Sequence, residues 1–159
     1  MRLTRFTDYS LRVLVFLGAH PDRLCTISEN AEAYGISENH LMKVVNRLSS
    51  AGYIETIRGK GGGMRLSRAP QMINLGDVVR RMEESFYIVE CFNEKHQDCP
   101  LFPACTLRSV LVDAHRNFMA TLDRYTLQDV LGDWVNSRFA LAKAPPISIK
   151  SIARRRAVR

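Results

Sequence analysis

Three cysteines in one short polar segment are the side chains of this sequence most suited to chemistry. Seven residues separate Cys91 from Cys99, and five separate Cys99 from Cys105. Thiolates gathered at such short range are ligands for an iron–sulfur cluster or a zinc ion. Structural zinc modules usually contain a Cys-x-x-Cys pair, which this segment lacks. The spacing therefore favours an iron–sulfur cluster, with zinc as the weaker alternative.

A fourth cysteine, Cys25, lies apart from the other three, and we expect it to be a small buried core residue. Four cysteines could form two disulfides in a secreted protein, but nothing else in the sequence indicates secretion. The apolar run 13–19 follows polar and charged residues at helical spacing, which is typical of an amphipathic helix and not of a signal peptide. No stretch approaches the ~20 apolar residues that a membrane span needs. We therefore expect a cytoplasmic protein with no membrane partner.

The net charge of +7 is unevenly distributed along the 159 residues. Residues 1–70 carry +4, residues 71–142 carry −3 and residues 143–159 carry +6. Basic clusters are the usual electrostatic footprint of a protein that binds a phosphate backbone, and they are also common on solvated surfaces. Charge alone makes nucleic acid the leading candidate partner and no more than that.

A helix-turn-helix is predicted over residues 27–51. Residues 27–34 form the first helix, Gly35 fits the left-handed cap that ends it, and Ser37 stands where the second helix needs an N-cap. In the second helix, residues 38–50, four apolar side chains recur at core spacing: Leu41, Val44, Val45 and Leu48. The polar side chains could read base edges or contact phosphates in a major groove: Ser37, Asn39, His40, Lys43, Asn46 and Arg47. A solvated polar face, which any surface helix has, is the alternative interpretation.

A β-hairpin is predicted directly after this unit, over residues 53–68, with strands at 53–58 and 64–68. A helix-turn-helix followed by a hairpin is a winged helix. The tip of this wing carries Arg58, Lys60 and Arg65 around glycines that let the backbone approach DNA closely. Basic side chains there could enter a narrow minor groove. A nucleotide-binding phosphate loop is the competing idea, and it fails because no Gly-Lys-Ser/Thr follows the glycines and no helix begins there.

The rest of the chain divides into a helical segment and a basic tail. Asn74 and Asp77 predict a capped helix through about residue 83, and residues 107–125 form a longer predicted helix. We expect the apolar stripe of that longer helix to form a homodimer seam, with packing on the chain's own core as the alternative: Val110, Leu111, Ala114, Phe118, Leu122 and Tyr125.

The predicted organisation has three parts. A winged helix-turn-helix domain occupies residues 1–72, a cluster-binding loop and dimerisation helices occupy 73–141, and a basic, disordered tail occupies 142–159. The fold class is mainly α, with β structure confined to the hairpin wing.

Six short motifs together resemble one known family. They are LTRFTDY at 3–9, ISENHLMKVV at 36–45, GYI at 52–54, RGKGGG at 58–63, GDVVR at 76–80 and VECF at 89–92. Over residues 1 to about 135 the sequence is similar to the Rrf-type winged-helix regulators, and within them to the nitric-oxide-sensing repressors. The resemblance implies an iron–sulfur cluster held by Cys91, Cys99 and Cys105, with [4Fe-4S] expected and [2Fe-2S] as the alternative.

The resemblance also implies a fourth ligand. In some nitric-oxide-sensing members, an aspartate from the partner chain's first helix completes a four-iron cluster, and Asp8 matches that position. Without the family, Asp8 is an acid in a helix's first turn, which the helix dipole favours. His96, close to the cysteines, is the other candidate ligand. IscR-type members instead place a histidine three residues after the third cysteine, where this sequence has Arg108.

The implied function is a homodimeric repressor that binds an inverted-repeat operator in double-stranded DNA. Nitric oxide would be its signal, and reaction with the cluster would release the DNA and derepress genes of nitric-oxide detoxification and nitrosative stress. The alternatives are an IscR-like regulator of cluster assembly or redox genes and a zinc-stabilised winged-helix module. No catalytic triad or carboxylate pair stands out, and the lack of Cys-x-x-Cys argues against a thiol-redox enzyme, so we do not expect an enzyme.

Overall fold

A computed structural model describes residues 2–93, 95, 98–102 and 104–132. Its elements are α1 (Arg5–Gly18), α2 (Ile27–Tyr34), α3 (Glu38–Ser50), β1 (Ile54–Ile57), β2 (Gly63–Leu66), α4 (Leu75–Met82), α5 (Thr106–Asp123) and α6 (Leu127–Val130), with 3-10 turns at Pro70–Met72 and Glu90–Phe92. This order confirms the predicted winged-helix fold. The tail at 142–159 lies outside the described residues. None of the helices in these described ranges could serve as a membrane span.

One hydrophobic core joins the helix-turn-helix to the helices that follow it. The predicted inner face of α3 is buried at all four of its apolar positions. From α1 the core takes Val13, Leu14, Phe16 and Leu17, which recur at the spacing of one helix face. Ile73, Val78, Met82 and Leu127 extend the same cluster towards the C-terminus. Each such side chain contributes about 1.5–3 kcal/mol of transfer free energy.

Two local signals fix the helix-turn-helix. Thr26 caps α2, because its hydroxyl accepts from Glu29 N at 3.2 Å while the Glu29 carboxylate accepts from Thr26 N at 2.6 Å. That hydrogen bond from the Thr26 backbone lowers the pKa of Glu29, so this carboxylate stabilises the folded state at neutral pH and less so on acidification. Gly35 then ends α2 with φ at 64°, as predicted, which lets the chain turn into α3.

The wing is an antiparallel hairpin that pairs Ile54 with Leu66 and Ile57 with Gly63. Its strands are slightly shorter than predicted. Gly59 and Gly61 in the turn have φ of 98° and 77°, which explains the glycine-rich sequence there. Two backbone hydrogen bonds between Met64 and Cys25, at 2.8 and 3.0 Å, tie β2 to the loop before α2. The wing is thereby held against the helices.

The side chain of Asn74 caps the start of α4 and binds the end of α5. It accepts from Asp77 N at 3.1 Å, which is the predicted cap, and its amide donates to the carbonyls of Asp123 at 2.7 Å and Tyr125 at 3.3 Å. α5 ends at Asp123, two residues before the predicted end, and Asn74 satisfies the carbonyl of that last residue. Arg80 of α4 also pairs with Asp123 at 2.5 Å, and this hydrogen bond raises the pKa of Arg80.

The first turn of α1 is tied to the end of α4 by Glu83. Its carboxylate accepts from Thr4 N at 3.1 Å, from the Thr4 hydroxyl at 3.0 Å and from the Thr7 hydroxyl. The carboxylate satisfies the backbone N–H of Thr4, which has no partner within the helix, and complements the positive end of the helix dipole. Glu83 lies eight residues before Cys91, so the contact fixes the start of the chain segment that leads to the cysteines against α1.

We expect Glu83→Ala to lower the free energy of unfolding by about 1–2 kcal/mol, since it removes the charge-assisted hydrogen bonds to Thr4 and Thr7. Urea unfolding followed by circular dichroism measures this. Glu84→Ala removes the neighbouring exposed carboxylate and serves as the control. Equal stability of the two variants would contradict the importance of the contact.

Candidate metal centre and nucleic-acid interface

The three predicted cysteine ligands lie between α4 and α5, and none is in a disulfide. Cys91 belongs to the 3-10 turn Glu90–Phe92, Cys99 is exposed, and Cys105 is the N-cap of α5. Two of them, Cys91 and Cys99, line the same open cavity of about 660 Å³. The other residues that line it are Tyr87, Ile88, Val89, Glu90, Asn93 and Asp98.

The described residues do not contain a preformed metal site. Nowhere in them do three or more His, Cys, Asp or Glu side chains converge closely enough to hold a metal ion. Cys91 and Cys99 share the cavity, whereas Cys105 does not line it and stands at the start of α5. The predicted alternative ligand His96 lies outside the described residues. The donor types fit a thiophilic centre, and the segment would have to close to bring all three sulfurs onto it.

Arg108, at the position where IscR-type members have a histidine, has a structural role here. Its Nε donates to the carbonyl of Cys91 at 3.3 Å, and its guanidinium lies 5.7 Å from the centre of the Phe102 ring. An arginine is not a metal ligand, because it stays protonated. The side chain therefore holds the turn that carries Cys91 against the first turn of α5.

Cys25 is fully buried, as predicted, far along the sequence from the other thiols. Burial raises the pKa of its thiol, which disfavours the thiolate needed for ligation. This side chain is part of the core and is the natural control for the other three.

Asp8 lies in the first turn of α1, where the helix dipole favours an acid. Its carboxylate pairs with Arg12 one turn later, at 2.9 Å, and both side chains are partly exposed. Among the described residues of its own chain it belongs to no group of metal ligands. The spacing of Asp8 and Arg12 could have predicted this ion pair, and sequence reasoning overlooked it.

The next residue of α1 contacts the recognition helix. The ring of Tyr9 lies 6.5 Å, centre to centre, from the ring of His40 in α3. Sequence reasoning did not single out Tyr9, and only the packing of α1 on α3 reveals it. A shift of α1 at Asp8 would therefore disturb, through Tyr9, the position of His40 on the predicted DNA-reading face.

All six polar residues predicted to face DNA from α3 and its N-cap are exposed. Ser37 is the N-cap of α3, as predicted, although its hydroxyl makes no capping hydrogen bond. Two residues on one flank also contact the protein: His40 meets Tyr9, and Arg47 donates to the carbonyl of Arg81 at 3.3 Å. Asn39, Lys43 and Asn46 lie at the centre of the outward face.

The three basic residues of the wing are exposed too, and they differ in pairing. Arg65 is ion-paired with Glu55, the residue opposite it in the hairpin. Arg58 and Lys60 have no ion-pair partner among the described residues. The positive charge at the tip is thus carried by these two.

An exposed polar and basic helix of a helix-turn-helix, set beside a basic hairpin, defines a winged-helix DNA-binding protein. The chain belongs to the Rrf2 family of transcriptional regulators, because the family model described as "Rrf2: Iron-dependent Transcriptional regulator" matches residues 3–133.

Two relatives support the same assignment. The HTH-type transcriptional regulator NsrR of Bacillus subtilis (strain 168) is 53% identical over 132 residues, which cover 82% of this chain and 90% of that protein. The regulator of the same name from Geobacillus kaustophilus (strain HTA426) is 48% identical over 142 residues, covering 89% and 97%. The predicted resemblance to Rrf-type regulators is confirmed, and the chain is a transcriptional regulator.

Solved structures agree with this fold. CymR (YrzC), the global cysteine regulator of B. subtilis, matches with a TM-score of 0.68 at 25% identity over 82% of this chain and 96% of that one. IscR of T. potens matches with a TM-score of 0.68 at 24% identity, covering 92% and 94%. At 24% identity, the similarity to T. potens IscR supports the fold and nothing more.

We expect Lys60→Ala to weaken binding to any DNA duplex, since a phosphate contact depends little on sequence. A plot of log affinity against log salt should become shallower by about 0.9 for each phosphate that the variant no longer neutralises. Arg65→Ala should change the slope less, because Glu55 already neutralises Arg65. Fluorescence anisotropy over a salt series measures both slopes, and an unchanged slope for Lys60→Ala would contradict a wing contact.

Proposed function

We propose that this regulator is a homodimeric iron–sulfur repressor that releases its operator in response to nitric oxide. The observation that carries the proposal is the set of three unpaired thiols between α4 and α5, two of which open into one cavity. Relatives named NsrR that match most of the chain, and the sequence motifs of nitric-oxide-sensing repressors, support the same function.

Cys91, Cys99 and Cys105 would hold the cluster. Cys105 stands at the N-terminus of α5, so a metal bound to its sulfur would lie beside the first turn of that helix. Cys91 and Cys99 open into a cavity of about 660 Å³, which has room for an inorganic group. When bound, an iron–sulfur cluster of the expected [4Fe-4S] type, or of the [2Fe-2S] type, supplies iron sites that react with nitric oxide.

Asp8 of the partner subunit would be the fourth ligand. The donor set supports this role, because three thiolates leave one position of a four-iron cluster for a different ligand. Among the described residues, the partly exposed Asp8 carboxylate is held by Arg12 alone, and such a surface ion pair costs little to rearrange. Arg12 would remain close enough to offset the negative charge of the thiolate-bound centre.

The apolar face of α5 would form the dimer seam. Val110 of the predicted stripe is 58% exposed, and Leu107, which lies one turn before it and outside that stripe as predicted, is 65% exposed, while Met119 is buried on the other side. Exposed large apolar side chains along one helix face are typical of an interface. A second copy of α5 is the partner that fits, since the same stripe then covers itself about a two-fold axis.

DNA release would follow from the position of α1. Its first turn would contact the partner's cluster through Asp8, and its next residue packs on His40 of α3. Removal of the Asp8 ligand would let the start of α1 shift and with it the recognition helix. In a two-fold operator the half-sites are about one DNA turn apart, so a small reorientation disengages one of them. Breaking one good base contact costs about 1–3 kcal/mol.

Alanine substitution of each proposed ligand should separate the sulfur ligands from Asp8. We expect Cys91→Ala, Cys99→Ala and Cys105→Ala to lose most of their iron and sulfide after anaerobic purification. Asp8→Ala should retain the centre but lose iron to a chelator about tenfold faster or more, in line with the effect of weakened ligand support. Iron and sulfide analysis with visible absorbance gives both results.

The matched controls are Cys25→Ala, a thiol in the core, and Asp22→Ala, an exposed acid between α1 and α2. Both should load like the parent protein. A full iron and sulfide content in a Cys91, Cys99 or Cys105 variant would show that this residue is not a ligand. Iron loss from Asp8→Ala at the rate of the parent protein would show that Asp8 is not a ligand.

The sensing function itself is tested with nitric oxide. A duplex selected from a random pool by the cluster-loaded protein should bind about tenfold more weakly or worse after nitric oxide, a typical size for coupling between two sites. Gel shifts with absorbance spectra of the same samples measure this, and Cys91→Ala should be weak from the start and unresponsive. Colourless protein with stoichiometric zinc, or unchanged affinity after loss of the cluster, would contradict the proposal.

A further inference from the structure

A large apolar side chain stands on the predicted DNA-reading surface of α3. Met42 is 48% exposed, although the other apolar side chains of this helix, at positions 41, 44, 45 and 48, are all buried. It belongs neither to the hydrophobic core nor to the partly buried residues packed around it. Its thioether is therefore exposed on the helix that is predicted to contact DNA.

The position of Met42 on the helix places it among the polar residues of that surface. Asn39 lies three residues before it and Asn46 four residues after it, so the three side chains are neighbours on one side of α3. On the opposite flank, His40 and Arg47 are engaged by α1 and by the end of α4. The Met42 side of α3 is accordingly the one left for base contacts.

The chemistry of a thioether restricts what Met42 can recognise. It has no hydrogen to donate and is a weak acceptor, so it cannot read the donor and acceptor pattern of a base edge. Among the four bases, thymine alone presents a methyl group in the major groove, and apolar side chains contact it. The unbranched, polarisable side chain of methionine adapts well to such a surface.

We propose that Met42 is a specificity residue that recognises thymine in the operator through the thymine 5-methyl group. The inference rests on the proposed entry of α3 into the major groove and adds a residue that selects sequence by apolar contact. Asn39 and Asn46 would read hydrogen-bonding groups on adjacent base pairs, and Lys43 would supply charge.

Replacement of thymidine by deoxyuridine in the DNA tests the methyl contact directly, because it removes the 5-methyl group and leaves every hydrogen-bonding group of the base in place. The cluster-loaded parent protein first selects its preferred duplex from a random pool, and each thymine of that duplex is then replaced in turn. At one thymine or more in each half-site, the parent should lose about fourfold in affinity, the value for one buried methyl group. Met42→Ala should bind the thymine and deoxyuridine duplexes equally well.

Met72→Ala is the matched control, since Met72 is 70% exposed in the turn before α4, outside the helix-turn-helix. It should keep the parent's full deoxyuridine penalty. A preferred duplex without thymine in the half-sites, no penalty for the parent at any thymine, or the same penalty in Met42→Ala would overturn the role of Met42 while leaving DNA binding intact. Failure of the parent to select any duplex would overturn the proposed function and this inference together.

Discussion

The packing of α1 across the molecule is the interaction on which the other features depend. One face of this helix is buried against α3, α4, α6 and the wing through Val13, Leu14, Phe16 and Leu17. Its first turn is fixed separately, by the carboxylate of Glu83 at the end of α4. Because cores are close-packed, the middle of α1 cannot move without disturbing the recognition helix. Its first turn, held by polar contacts at the surface, can move more cheaply.

This arrangement gives the proposed sensor a short path from metal chemistry to DNA. Asp8 and Tyr9 are adjacent in α1; Asp8 is the proposed ligand of the partner's cluster, and the ring of Tyr9 packs on His40. Typical coupling between two sites is about 1–3 kcal/mol, which equals the value of one good base contact. A displacement that costs a single base contact in one half-site is therefore enough to account for the switch.

Local sequence signals predicted most of the fold and few of the long-range contacts. Some features depend only on residues close together in the sequence, so the sequence predicts them directly. They are the spacing of apolar residues in α3, the left-handed Gly35 and the Asn74 cap. The hydrogen bonds between Glu83 and Thr4 join residues 79 positions apart, and the one from Asn74 to the Asp123 carbonyl joins residues 49 positions apart. Likewise, the spacing of the cysteines predicts thiolate ligands for a metal centre. It could not predict that, of the three cysteines, Cys91 and Cys99 share a cavity and Cys105 does not line it.

Amide hydrogen exchange is the most direct measurement of the role given to α1. The anaerobic, cluster-loaded dimer would be compared with the same sample after nitric oxide, with operator affinity followed in parallel. The account predicts faster exchange in the first turns of α1 and, together with it, in the half of α3 that carries His40, as the DNA is released. Release of DNA with altered exchange confined to residues 84–105 would show that the signal does not pass through α1.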